Sequence, residues 1–182
     1  MHRHDINDGV PEGGPFDLIH ARGVLMHLTR REEILQSLAD ALAPGGALLI
    51  GEISDRPLDV LAAPSAADSE LFGRVLRTGF TQLFPAAGVD FGWGHRAAGQ
   101  MAQAGLTDID AREFSWTFKG GSTEGRLLRN YILQLHDGML AKGHVEEELA
   151  RFRNLMSDEL FRSWFFQFIF VAGRKPSARR TG

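Results

Sequence analysis

The 182 residues are 43% hydrophobic and 24% charged, with a formal net charge of −3. That is the balance of one globular domain able to bury a core, and it excludes a disordered chain or a surface with general attraction for nucleic acid or anionic lipid. The absence of cysteine excludes disulfides, thiolate metal sites and cysteine nucleophiles. With no run near the roughly 20 apolar residues of a membrane span, and no apolar signal core in MHRHDINDG, a cytoplasmic location is expected.

In chain order, a short strand is expected over Met1 to Ile6, followed by the turn-rich link DGVPEGGP. Phe16, Leu18 and Ile19 then form a compact apolar strand ending in His20, Ala21 and Arg22. Leu35, Leu38, Ala39 and Leu42 recur at helical spacing, with Thr29 and Glu32 as a capping pair and Pro44-Gly45-Gly46 as the stop. Ala47 to Ile50 is an uninterrupted apolar run, the pattern of a strand covered on both faces. The strand-helix-strand order therefore predicts a parallel pair and α/β architecture.

Beyond this unit the pattern is more helical. Leu71, Phe72, Val75, Leu76, Phe80 and Leu83 give an amphipathic helix over 69–84, after a loop over 57–64. A short helix spans 95–104 and is closed by Gly105, and the alternation over 109–118 predicts a half-exposed strand. Gly120-Gly121 breaks the chain before helices over 127–140 and 145–156. Residues 164–171 are the most aromatic strand, ahead of a basic tail with Arg174, Lys175, Arg179 and Arg180, expected to be a frayed, solvated terminus and disordered over 176–182. No repeat and no linker long enough to divide two domains is found.

Four motifs in order carry a resemblance: Phe16 to Arg22 (FDLIHAR), Val24 to Leu28 (VLMHL), Leu42 to Glu52 (LAPGGALLIGE) and Ala104-Gly105-Leu106. The sequence resembles the class I S-adenosylmethionine-dependent methyltransferases, over about residues 1–118 and in the final strand. The resemblance implies a partial Rossmann-like sheet in which strands 4-5-7-6 of the family order 3-2-1-4-5-7-6 remain. Helices would cover its faces, and cap segments at about 64–90 and 123–158 would be inserted in a single domain over 1–175. The family's first strand, GxGxG loop and second strand with its ribose-binding acid have no counterpart here; Gly9, Gly13 and Gly14 belong to a surface turn.

The resemblance implies that the chain uses S-adenosyl-L-methionine as cofactor, weakly or not at all by itself. It assigns Asp5 to the adenine amino group, Ile6 to the adenine face, and His20, Ala21 and Arg22 to the ligand-binding ends of the strands. Asp5 is also readable as a turn acid, and Arg22 as a surface arginine. His27 stands where an imidazole can orient or deprotonate an acceptor, or else cap the helix. Phe91, Trp93 and His95 read as acceptor-pocket residues or as core. Gly23 and Met26 offer no oxygen ligand beside His27, and no metal is implied. Two functions are thus expected: a methyltransferase of small, partly apolar acceptors that needs a partner or further N-terminal residues, or a non-catalytic methyltransferase-like subunit or degenerate remnant. The unpaired edge of strand 16–21 is the expected surface for a homo- or hetero-oligomer; no nucleic acid or membrane partner is implied.

Overall fold

A computed structural model describes residues 3–177. In chain order its elements are a 3-10 turn Ile6–Asp8, β1 (Phe16–Arg22), a 3-10 turn Leu25–His27, α1 (Arg31–Asp40), β2 (Leu42–Ile53), β3 (Val60–Ala62), α2 (Ala66–Thr78) and a π-helical turn Gly79–Leu83. There follow α3 (Phe84–Ala86), α4 (Trp93–Gln103), β4 (Thr107–Phe114), β5 (Thr117–Lys119), α5 (Thr123–Gln134), α6 (His136–Ala141), α7 (Glu146–Leu155), β6 (Arg162–Trp164) and β7 (Phe168–Arg174). The described chain divides into two compact units, one of residues 3–54, 88–114 and 168–177, the other of 55–87 and 115–167. The segments expected as a cap, 64–90 and 123–158, lie in the second unit except for residues 88–90.

The first unit is an α/β layer built on a four-stranded sheet in the order β1-β2-β7-β4, which is the 4-5-7-6 arrangement. β1 runs parallel to β2, and β7 is antiparallel to both β2 and β4. The apolar run of β2 is central because it pairs on both sides, with Leu48 and Ile50 fully buried. Helix α1 turns Ile34, Leu35, Leu38 and Ala39 inward, and α4 buries Trp93, Gly94, Ala97 and Met101. The larger of these, Ile34, Leu35, Leu38 and Met101, contribute about 1.5–3 kcal/mol each on leaving water. Among the described residues β1 pairs only with β2, and Leu18 on it is 64% exposed.

The second unit has a small antiparallel sheet, β3-β6-β5, and an aromatic core. Phe72 stacks on Phe152 at 5.9 Å and meets Phe161 at 4.8 Å; Phe161 continues to Phe118, and Phe165 packs against Phe118 and Phe166. Ser65 caps α2 by accepting from the Asp68 amide, and the Arg151 guanidinium donates to Asp68 at 2.7 Å. The Arg151 bond first, and then the Ser65 hydroxyl, which donates to the Asp68 carboxylate at 2.6 Å, hold the Asp68 carboxyl below its usual value. His144 bridges Glu148 (3.2 Å) and the Thr78 hydroxyl (3.0 Å), with Arg74 on Glu148 at 2.7 Å.

Several expectations are corrected. Residues 3–5 form no strand, and Ile6 opens a 3-10 turn whose Asn7 amide donates to the Asp5 side chain, so a local Asx-type cap wins over extension there; Met1 and His2 lie outside the described residues. Helix α1 ends at Asp40, before Pro44-Gly45-Gly46, which instead forms a bulge inside β2: Phe16 faces Leu42 and Leu18 faces Ala47. Thr29 does not cap α1, whose N-cap is Arg30 without a side-chain bond. The expected strand 109–118 divides into β4 and β5, and 164–171 into β6 and β7, each half joining a different sheet. Alternation marks strand residues but not their partners. Helix 127–140 breaks at Leu135 into α5 and α6; Gly138 lets α6 approach Leu83, where a Cβ would stand 3.2 Å from its methyl groups. Arg174 and Lys175 are not frayed. Lys175 exchanges backbone hydrogen bonds with the bulge, and its ammonium donates to the Asp40 and Leu42 carbonyls at the end of α1. The tail expected over 176–182 falls outside the described residues from 178 onward.

Candidate functional site

In an open α/β sheet the carboxyl ends of parallel strands are where backbone turns away and side chains converge. Here β1 and β2 end side by side, with His20, Ala21 and Arg22 facing Leu49, Ile50 and Gly51. Gly51 leaves space that a Cβ would deny, since it would stand 2.6 Å from the Phe170 ring and 3.3 Å from Arg22 Cγ. Gly23, at φ +59°, then reverses the chain, and its amide donates to the Gly51 carbonyl at 2.8 Å.

The next residues form the 3-10 turn. Leu25 and Met26 are buried, which anchors the turn in the core and leaves His27 exposed. The turn is clamped on several sides. The Asp90 amide donates to the Met26 carbonyl at 2.9 Å, and Arg31 donates to the Leu28 carbonyl at 2.6 Å and to the Gly88 carbonyl at 3.1 Å. Arg31 and Arg96 both pair with the Asp90 carboxylate.

Below the turn lies Glu52, the last acid of LLIGE and 1% exposed. Its Oε1 accepts the Leu25 N–H at 3.0 Å, while Oε2 is buried without a hydrogen-bond partner. Burial pushes the carboxyl up to about 7, against the opposing pull of the Leu25, Met26 and Val24 amides and of Arg31. The indole Nε1 of Trp93 is likewise buried without a partner.

The expected site residues are partly brought together. Ile6, His20, Ala21 and Arg22 line one open groove of about 360 Å³ along β1, together with apolar residues such as Val10, Phe16 and Leu25. Asp5 is exposed and lines an adjoining hollow with Ile6 and Val24; one of its carboxylate oxygens accepts from the Asn7 backbone (2.9 Å) and side chain (3.0 Å). His27 is not a helix cap: it closes the 3-10 turn, and α1 begins at Arg31. Phe91 and Trp93 are buried, Trp93 entirely, whereas His95 is exposed on the first turn of α4. Sequence reasoning missed Glu52, although an acid ending an uninterrupted apolar run was the available signal. Among the described residues no group of three or more His, Asp or Glu side chains is gathered for a metal, and no helix is long and apolar enough to cross a membrane.

With this geometry in view, comparisons with known proteins are consistent with one another. The family described as "Methyltransferase domain" matches residues 1–110. The BH2331 protein of Bacillus halodurans C-125, a candidate methyltransferase, is similar in structure at a TM-score of 0.51 and 16% identity, over 93% of this chain and 69% of that one. The YcgJ protein of Bacillus subtilis is similar at 0.50 and 13% identity, over 94% and 69%. Phosphoethanolamine N-methyltransferase 2 of Haemonchus contortus, in complex with phosphomonomethylethanolamine and S-adenosylhomocysteine, is similar at 0.41 and 17% identity. The match takes in 89% of this chain, which spans 34% of that protein's length. No curated protein matches the sequence.

Proposed function

We propose, on the premise that the chain belongs to the methyltransferase-domain family, that it contributes to S-adenosylmethionine-dependent methyl transfer to a small, partly apolar acceptor. The observation that carries this reading is the convergence of Ile6, His20, Ala21 and Arg22 on one groove, with His27 exposed on the turn that follows. The apolar lining fits the face of a purine ring, against which Ile6 packs. Asp5 keeps a second carboxylate oxygen with which to meet the adenine amino group. When bound, the cofactor supplies an activated methyl group. His27 accepts the proton that the acceptor's hydroxyl or amine gives up, and the walls of the site act mainly by proximity and orientation. Of the aromatic trio, His95 is the member exposed to an acceptor, while Phe91 and Trp93 support it from the core.

The family's glycine-rich loop and ribose-binding acid do not occur in these 182 residues. Each charged or bidentate hydrogen bond they make is worth about 1.5–3 kcal/mol, so the isolated chain binds the cofactor about a thousandfold or more below a complete site. The edge of β1, which carries no second partner strand among the described residues, is the surface through which another chain or further strands complete the sheet. Calorimetric titration of the 182-residue chain with S-adenosylhomocysteine tests the binding side. Weak or no binding is expected, and a low-micromolar Kd would sink this part of the reading. Light scattering is expected to find self-association or capture of a partner along β1; a stable monomer with slow amide exchange at Leu18 and Ile19 contradicts it.

A second reading, a non-catalytic methyltransferase-like subunit, draws on the engagement of Asp5 as a local cap. Methyl transfer by an assembled form decides between them.

A further inference from the structure

A one-turn 3-10 helix is a weak structure. The Val24–Leu28 turn has two internal hydrogen bonds, from His27 N–H to the Val24 carbonyl and from Leu28 N–H to the Leu25 carbonyl, both 3.0 Å. Its Leu25 amide is one of the donors that a helix start leaves without an internal partner. That donor is met by Glu52 Oε1 at 3.0 Å, across 27 positions of sequence and inside the core. Asp90 and Arg31 hold the carbonyls of the same turn, so Glu52 acts on the amide side. A buried carboxyl with one oxygen unpartnered is costly to keep, and an apolar side chain of the same length would fill the volume.

We propose that Glu52 is the positioning residue of this site: through the Leu25 amide it fixes the Val24–Leu28 turn and so the direction in which His27 is presented beyond β1. The proposal rests on the reading of His27 given above for its catalytic consequence, but not for its structural one. Glu52→Met removes both oxygens at similar volume, whereas Glu52→Gln keeps a carbonyl acceptor. Amide exchange by NMR on the full chain is expected to accelerate at Leu25 by at least about tenfold in the Met variant. The amides of Ile50 and Val171, in the β2–β7 ladder, should keep their rates, and the Gln variant should restore Leu25. Unchanged protection at Leu25 overturns the proposal, as does equal acceleration through β2 and β7, which is the mark of a merely structural role.

A wild-type titration decides the matter if the Met variant does not fold. The Leu25 amide proton should move with the same midpoint as the Glu52 carboxyl carbon, and independent midpoints overturn the bond. Arg31 is the charged group acting on Glu52, and Ile169 of β7 and Gly94 of α4, which lie against it, bring no charge. In an assembled form that transfers methyl groups, Glu52→Met lowers kcat with KM unchanged and Glu52→Gln recovers it. Absence of any transfer, wild type included, defeats the proposed function and leaves the exchange result standing.

Discussion

The two units of this chain stabilise themselves in opposite ways. The first packs aliphatic side chains such as Leu25, Leu35, Leu48 and Ile50 in layers, and leaves inside them one carboxyl, Glu52, with an unsatisfied oxygen. The second packs rings on rings and gives its carboxylates charged partners, buried Asp68 with Arg151 and Glu148 with Arg74 and His144. The carboxyls accordingly shift in opposite directions: Glu52 is raised, whereas Asp68 and Glu148 are lowered. Among the described residues the two buried side-chain polar atoms without a hydrogen-bond partner, Glu52 Oε2 and Trp93 Nε1, both belong to the unit that carries the candidate site.

The sharpest way to break this comparison is through the aromatic core. Phe161 is fully buried and touches both Phe72 and Phe118, so Phe161→Ala is expected to cost about 3–5 kcal/mol, read from the denaturant midpoint. A cost below about 1 kcal/mol would mean that the rings are loosely packed.

Next comes the pH dependence of the first unit. Because folding raises the Glu52 carboxyl from 4.5 to about 7, the native state binds more protons than the unfolded one between those values. Stability contributed by this group is therefore full below about pH 4.5 and declines as pH rises through 7, by about 3 kcal/mol. Denaturation at pH 5 and pH 8 should show this decline in the wild type and its removal in Glu52→Gln.

His27→Ala separates chemistry from stability. The side chain is exposed, so Tm should hold, while methyl transfer by an active form should fall about 100-fold. Unchanged turnover would remove His27 from the mechanism.

The smallest effect, with the opposite pH sign from Glu52, is expected for Asp68→Asn. The Asp68 carboxyl lies below its ordinary 3.8 when folded, so its contribution is present at neutral pH and disappears as pH falls through the folded value. A variant as stable as wild type at pH 7 would mean that the Arg151 pair is energetically silent.

Much of this molecule was legible in its residues. The apolar run Ala47–Ile50 and the helical spacing of Leu35, Leu38 and Ala39 specify a parallel strand-helix-strand unit, although Leu48 and Ile50 are buried while Ala47 and Leu49 are only half-buried, so the run marks the strand but overstates the cover on its second face. The 4-5-7-6 strand order followed from the family resemblance, and His20 to Arg22 were placed at a strand end for the same reason. The sequence also marked 109–118 and 164–171 as extended, since alternation and aromatic content are local properties. Only the tertiary structure decided that each of these segments divides between two sheets, that Pro44-Gly45-Gly46 bulges within β2 rather than ending α1, and that Lys175 returns to close the end of that helix. It alone also brought Glu52 beneath the Leu25 amide. Hydrogen bonds between residues 27 or 135 positions apart depend on which elements meet in space, and no periodicity in a single chain encodes the partner of a strand edge or of a buried carboxyl.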